Sequence, residues 1–130
     1  MKRVFLSFAE EDCPKVKKLL PLLADQDFNL DFYDGPYTED LQSQEAAQIK
    51  RRIGEKIVSS NLTVCLITEN THKSRWVDCQ LTKSRNKGNK IIAMALEGTE
   101  YAALPQVIKE ENLTFYPWSP KKLAEIINPG

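Results

Sequence analysis

The feature that most limits how this chain can fold is a regular alternation of short apolar runs with longer amphipathic stretches. The short runs are typical of buried strands and the longer stretches of helices, and about five such units follow one another. Such a chain forms a parallel sheet covered by helices on both faces, because parallel neighbours can be joined only by a crossover connection. The sequence therefore predicts an α/β fold, with residues 1–130 forming one domain.

The positions of the elements define the expected topology. The predicted strands are residues 3–8, 30–34, 61–68, 90–96 and 113–118, and the predicted helices are residues 14–27, 46–60, 75–87 and 120–127. Asp12 and Ser74 are candidate caps of the first and third helices, Gly88 ends the third helix, and Pro117 marks the last strand as an edge strand. Right-handed crossovers then favour a flavodoxin-like, five-stranded parallel sheet in the order 2-1-3-4-5.

Charge and hydropathy argue against two classes of partner. The 18 Lys and Arg residues balance the 18 Asp and Glu residues, so no overall field draws the chain to nucleic acid or to anionic lipid. No apolar run approaches the roughly 18 residues that a membrane span needs. We therefore expect neither nucleic acid nor a membrane as a partner.

Cysteine usage bears on location and on metals. Cys13, Cys65 and Cys79 are odd in number and widely spaced, and His72 is the single histidine. This pattern argues against disulfide bonds and against a zinc site, so we expect no metal. The first apolar run is followed at once by polar residues, without the cleavage site of a signal peptide. The expected location is the cytoplasm.

Sheets of this topology bind ligands beyond the carboxyl ends of their strands, at the point where the strand order reverses. Here that point lies between the first and third strands, and three segments converge on it: SFAEED (7–12), YDGPYTEDLQSQ (33–44) and TENTHKSRW (68–76). Residue 80 lies one turn beyond the last of them. We predict a polar pocket at this edge, bordered by six residues: Ser7, Phe8, Asp34, Ser74, Trp76 and Gln80.

Signatures of several other chemistries are missing from the sequence. Neither GxGxxG nor GxxxxGK[ST] occurs, and GxSxG is absent too, which leaves little support for a Rossmann, P-loop or nucleophile-elbow site. Phospho-accepting receiver domains share the fold, and the acidic run Glu10, Glu11 and Asp12 superficially fits them. The third strand, however, ends in Thr68 and Glu69 rather than in an acceptor aspartate, which argues against that class.

Four stretches carry a family resemblance: RVFLSFAEED, LDFYDG, VCLITENTHKSRWVDCQL and KIIAMAL. In order and spacing they resemble the TIR-like domains of bacterial anti-phage Thoeris systems, the ThsB family. The sharpest element leads from the third strand into the third helix, where the family commonly reads S-x-W-[VC]-x-x-E. Ser74, Trp76 and Val77 match this motif, and Gln80 stands at the position of the expected catalytic glutamate.

The resemblance implies an enzyme that cleaves the bond between nicotinamide and ribose in NAD. NAD would be a substrate, with no resident cofactor, and the pocket residues would bind it or an ADP-ribose derivative. The ADP-ribose moiety would be released, cyclised or conjugated as a signal that activates a partner effector protein. Domains of this kind also assemble with like domains, so self-assembly is a further implied property.

Gln80 has two explanations. Nicotinamide leaves NAD as a neutral molecule, so positive charge develops on the ribose and an anion beside it stabilises the transition state. Glutamine keeps the shape of glutamate and loses this charge. The chain is therefore either a natural non-catalytic member or an enzyme disarmed by a Glu-to-Gln change, and we favour the second because the rest of the motif is intact.

A rival interpretation needs no chemistry. TIR-like domains also serve as adaptors, and the polar segment GPYTEDLQSQ could mediate assembly as an exposed loop. Trp76, with Val77 and Leu81, could be a packing face of the third helix, and Gln80 could border it. Asp34 precedes Gly35 and Pro36, so turn formation explains it as well as ligand contact does.

Overall fold

A computed structural model describes residues 2–23 and 28–128 of the chain. Within these ranges the strands are β1 (Lys2–Ser7), β2 (Phe28–Asp31), β3 (Leu62–Ile67), β4 (Lys90–Ala95) and β5 (Phe115–Tyr116). The α-helices are α1 (Cys13–Leu19), α2 (Gln44–Val58), α3 (Arg75–Lys87), α4 (Gln106–Glu110) and α5 (Pro120–Ile127). Short 3-10 turns occupy Glu10–Asp12, Leu20–Leu23 and Thr71–Lys73.

The strands form one sheet in the order β2-β1-β3-β4-β5, and every neighbouring pair is parallel. This confirms the predicted flavodoxin-like topology. Val4 of β1 pairs with both Leu30 and Leu62, so β1 lies in the interior of the sheet. The reversal of strand order falls between β1 and β3, as expected.

Three differences from the sequence prediction have a local explanation. β2 spans Phe28–Asp31 rather than 30–34, because the Asp31 carboxylate accepts the Phe32 backbone N–H at 2.9 Å and removes it from the ladder. The first helix was predicted over 14–27, but α1 ends at Leu19, since Pro21 lacks the N–H that would continue it; residues 24–27 lie outside the described ranges. α4 was not predicted, because its five residues are too few for a visible period.

Apolar side chains fill both faces of the sheet. On one face Val4, Leu6 and Phe8 pack with residues of α1 and α5. On the other face Phe5 packs with the buried isoleucines of α2 and with Trp76. Further along that second face, β3 and β4 pack against α3 and α4. The helices therefore cover both faces, as predicted.

The third helix is anchored at both ends and in its middle. The Ser74 side chain accepts the Val77 N–H at 3.2 Å, and Gly88, with φ of 89°, ends the helix, so both predicted boundary residues are confirmed. In the middle, the Ser84 hydroxyl lies 2.7 Å from that of Thr63 in β3. At the end, the Lys87 ammonium donates to the carbonyls of Ile57, Val58 and Ser60, at 2.7 to 3.3 Å. These contacts hold α3 against the sheet and against the end of α2.

No helix within residues 2–23 and 28–128 has the length and apolar character needed to cross a membrane.

Candidate functional site

Gln80 projects from α3 to the end of β1, where its side chain is buried with 2% of its surface exposed. Its Oε1 atom accepts a hydrogen bond of 2.6 Å from the hydroxyl of Ser7, the last residue of β1. Ser7 is fully buried. The structure thus brings together two of the predicted site residues that are 73 positions apart in sequence.

Tyr37 completes this contact from the loop between β2 and α2. The Gln80 side-chain amide donates to the Tyr37 hydroxyl at 2.9 Å. The Tyr37 ring is half-buried between Tyr33, with centroids 5.0 Å apart, and Trp76, at 5.2 Å. Sequence reasoning missed Tyr37, although an aromatic residue in an otherwise polar loop segment is a signal that could have identified it.

The environment of Tyr37 keeps its hydroxyl protonated. Burial is the largest cause that raises the pKa of this phenol well above its ordinary value of 10.0, and nearby Glu10 raises it further. The hydrogen bond from Gln80 lowers this pKa; its influence is smaller than that of burial and larger than that of Glu10. Tyr37 is therefore a neutral hydrogen-bonding group throughout the neutral pH range.

Trp76 is a wall of the site and a core residue at once. Its side chain is 3% exposed and packs with Phe5 of β1. Its indole N–H donates to the Thr38 carbonyl at 2.9 Å, which ties the loop after β2 to the first turn of α3. The packing interpretation and the pocket interpretation of Trp76 are thus compatible.

A cavity of about 480 Å³ opens beside these residues. Ser74 and Trp76 line it, together with Glu10, Glu11 and Glu39 on the acidic side and Lys73 and Arg75 on the basic side. Burial, followed by repulsion from Glu11 and Glu39, raises the pKa of Glu10 above 4.5. The walls therefore carry both signs of charge. Gln80 and Tyr37 do not line this cavity themselves, but Tyr37 contacts Trp76, which does.

Two predicted site residues lie elsewhere. Phe8 is buried on the opposite face of the sheet, in the cluster with α1 and α5, with its ring centroid 5.6 Å from that of Phe32. The carboxylate of Asp34 lies 3.4 Å from the Lys17 ammonium, in an exposed ion pair. Asp34 lines a different cavity, together with Arg52. The predicted pocket therefore does not include either residue in the structure.

Asp12 has a different role from the predicted one. Its side chain makes no capping bond to α1. Instead the buried carboxylate accepts hydrogen bonds from the Thr68 hydroxyl and from the Asn70 amide. It thus joins the loop after β1 to the loop after β3 and holds Asn70 at the cavity wall. The sequence offered no sign of this contact beyond the acidic run.

The described residues contain no group of three or more His, Cys, Asp or Glu side chains that could hold a metal ion. The cavity is lined by charged and polar side chains and lies beside the buried hydrogen-bonding group at position 80.

Comparisons with known proteins bear on this fold and site. No curated protein matches the sequence. A 2-deoxyribosyltransferase from the psychrotolerant bacterium Bacillus psychrosaccharolyticus is similar in structure, with a TM-score of 0.65 and 17% identity over 94% of this chain and 90% of that chain. The TIR domains of the activated Roq1 resistosome, which directly recognises the pathogen effector XopQ, give a TM-score of 0.54 and 19% identity over 100% of this chain and 72% of that chain. At identities this low, the structural similarity shows a shared fold alone.

The family comparison is more specific. The sequence profile of the family described as "Thoeris protein ThsB, TIR-like domain" matches residues 5–101. This range runs from β1 through β4 and includes Ser7, Tyr37, Trp76 and Gln80. The match covers most of the chain and every element that builds the site. The chain therefore belongs to the ThsB TIR-like domain family.

Proposed function

We propose that this chain is an NAD-processing TIR domain of anti-phage defence whose parent form carries a glutamate at position 80. The parent form would cleave the bond between nicotinamide and ribose, and the Gln80 chain would bind NAD or an ADP-ribose derivative without turning it over. The observation that carries the proposal is the buried side chain at position 80, held by the Ser7 and Tyr37 hydroxyls beside a charged cavity. Such a preorganised polar position is what a catalytic group requires.

The reaction needs little from the protein beyond charge and position. As the C1′–N bond breaks, its electron pair goes to the nicotinamide ring, which leaves neutral, and positive charge develops on the ribose. In hydrolysis, the oxygen of water then bonds to C1′ and loses a proton. A carboxylate beside the ribose stabilises the developing cation, and its replacement by an amide is expected to reduce the rate by a factor on the order of 10² to 10³.

The remaining features of this proposal follow from the same reaction. NAD is the substrate and no resident cofactor is needed. The ADP-ribose product, whether free, cyclised or conjugated, would activate a separate effector protein. We further propose a cytoplasmic location, which is consistent with the free thiols of Cys13, Cys65 and Cys79.

A second candidate function is that of a non-catalytic interaction module. The observation that favours it is the burial of Gln80, which is 2% exposed and has hydrogen-bond partners for both atoms of its amide. The hydrogen-bonding groups of such a side chain are already paired within the protein, without a ligand. The loop between β2 and α2 would then contact other domains, and its exposed residues include Pro36, Glu39 and Asp40.

The deciding experiment restores the charge. Gln80→Glu should release nicotinamide from NAD, as measured by chromatography with and without an extract of phage-infected cells as the trigger. Gln80→Ala should stay inactive and bind NAD more weakly than the Gln80 chain, because the side chain that would touch ribose is lost. Lys83→Gln is the matched control, since Lys83 lies on the same helix, is part-exposed and should leave binding unchanged.

The two candidate functions predict different outcomes. If folded Gln80→Glu leaves NAD intact in the presence of the trigger, the enzyme proposal is rejected in favour of the interaction module. If calorimetry detects no binding of NAD to the Gln80 chain at millimolar concentration, the proposal that this form retains substrate is rejected.

A further inference from the structure

The contact between Gln80 and Tyr37 carries one further inference, which rests on the proposed function. We propose that Tyr37 is a positioning residue for the side chain at position 80. In the glutamate form of the protein, its hydroxyl donates a hydrogen bond to the carboxylate, which keeps that group ionised and oriented beside the cavity.

The hydrogen bonds of Gln80 determine which group is the donor in each of its two contacts. Gln80 Oε1 accepts from Ser7, so its Nε2 faces Tyr37, and the phenol oxygen is the acceptor at 2.9 Å. A carboxylate at the same position has no proton to donate, so the same contact requires Tyr37 to become the donor. A phenol can take either role. Within the described residues the Tyr37 hydroxyl proton has no acceptor, which leaves it free to turn towards position 80.

Rigid surroundings suit Tyr37 to this task. Its ring is held between Tyr33 and Trp76, and the Trp76 indole is bonded to Thr38, the next residue of the same loop. Since burial raises the pKa of the phenol, it remains able to donate at neutral pH, where an ordinary carboxylate is ionised. Tyr37 is thus an oriented donor.

A carboxylate at position 80 would depend on such donors. The position is 2% exposed, and burial favours the neutral acid. The titratable groups that act on Tyr37 are Glu10, Tyr33 and Cys13, each of which raises the pKa of the phenol through its charge. The apolar cluster that contains Tyr33 and Trp76 also includes four side chains of α2, Ala46, Ile49, Ile53 and Ile57. Cys79 of α3 packs against this cluster. The pKa of the Cys79 thiol is lowered by Lys83 and Lys50 and raised by Asp78. None of the described cations contacts the Gln80 side chain, so the two hydroxyls are its stabilising partners.

The test measures the ionisation of residue 80 directly. In Gln80→Glu protein with a labelled side-chain carboxyl, an NMR titration gives the pKa of that group. Adding Tyr37→Phe should raise this pKa by about one unit or more, because a hydrogen bond to the charged form is lost. The control is Tyr33→Phe, which removes a hydroxyl of the same loop that donates to the Pro36 carbonyl instead; it should leave the pKa unchanged.

Turnover provides a second readout. The acidic limb of the pH profile of kcat/KM should move to higher pH by the same amount with Tyr37→Phe and should not move with Tyr33→Phe. An unchanged carboxyl pKa with Tyr37→Phe, or equal rises with both variants, would overturn the proposal. Because the titration needs no NAD, a pKa that rises in an inactive protein would reject the proposed function and retain the role of Tyr37.

If the buried carboxylate prevents folding, the unsubstituted chain still decides the matter. Tyr37→Phe should speed hydrogen exchange of the Gln80 side-chain amide several-fold, whereas Tyr33→Phe should not, because only the first variant removes the acceptor of that amide. Equal exchange in both variants would overturn the positioning role.

Discussion

The hydroxyl pair that joins β3 to α3 allows a quantitative test of how the helix carrying Gln80 is held. Ser84 has one hydroxyl proton, and it donates this proton to the Gln80 backbone carbonyl at 2.9 Å. The 2.7 Å contact between Ser84 and Thr63 therefore requires Thr63 to be the donor. Both residues are fully buried, so bulk water does not reach either hydroxyl.

The expected costs follow from which groups lose their partners. Ser84→Ala leaves the Thr63 hydroxyl buried and unpaired, which costs about 1–3 kcal/mol of unfolding free energy. Thr63→Val keeps the Ser84 donor bond and removes only its acceptor contact, so it should cost about 1 kcal/mol. In the double variant neither hydroxyl remains, and the Gln80 carbonyl retains its helical N–H partner. The double variant should therefore cost about 1 kcal/mol less than the sum of the single variants.

Urea unfolding at neutral pH, followed by circular dichroism, measures all four proteins of this cycle. A change in midpoint at constant slope gives each free energy difference. If the sum of the two single-variant costs equals the cost of the double variant to within about 0.3 kcal/mol, the two hydroxyls are not coupled and the assigned donor direction is wrong.

Three further outcomes are expected. Gly88→Ala should lower the unfolding free energy by about 1 kcal/mol, because Gly88 has a φ of 89°. Gly54→Ala inside α2 should raise it by about 0.5–1 kcal/mol, because a Cβ there meets only the Lys83 ammonium, at 3.9 Å. Thermal unfolding measures both changes, and changes of the same sign would contradict this argument. Lys87→Met should cost about 1 kcal/mol at low salt and less at high salt, since it removes a cation from the last carbonyls of α2; a loss independent of salt would contradict the electrostatic explanation. Raising the pH from about 8 to about 10 should lower the unfolding free energy, because burial raises the pKa of Cys65 to about 12 and that of Cys79 above its usual value. The thiols of the unfolded chain therefore lose their protons at lower pH than those of the folded protein. Cys65→Ala should make the unfolding free energy depend less steeply on pH, and an equally steep curve for this variant would contradict this explanation.

The sequence was sufficient for the topology because strand and helix periods differ and crossovers have one hand. It was less informative where a single side chain decides a boundary. The bond from the Phe32 N–H to Asp31 ends β2 early, and the pattern of apolar residues contains no trace of such a bond. Residues 32 and 33, which continue the apolar run, pack as loop residues.

The candidate site shows the same division. Ser74 and Trp76 belong to a motif with fixed spacing on one helix, and the structure places both at the cavity wall. Ser7 and Phe8 cannot both face one pocket, because side chains alternate between the faces of a sheet along a strand; the prediction that grouped them neglected this. Tyr37 could not be positioned from sequence, since its place depends on a loop whose path is set by contacts with Trp76.

The interior position of β1 has a consequence for how the chain folds. Val4 pairs with Leu62, and Ser7 with Cys65, each 58 residues further along the chain. A chain is synthesised from its N-terminus at about 5–20 residues per second, so β1 waits on the order of 3–12 s before β3 exists. Until then β1 has at most β2 as a neighbouring strand. Loop closure over this separation must precede the central pairing, which predicts slower folding than for helical domains of the same size.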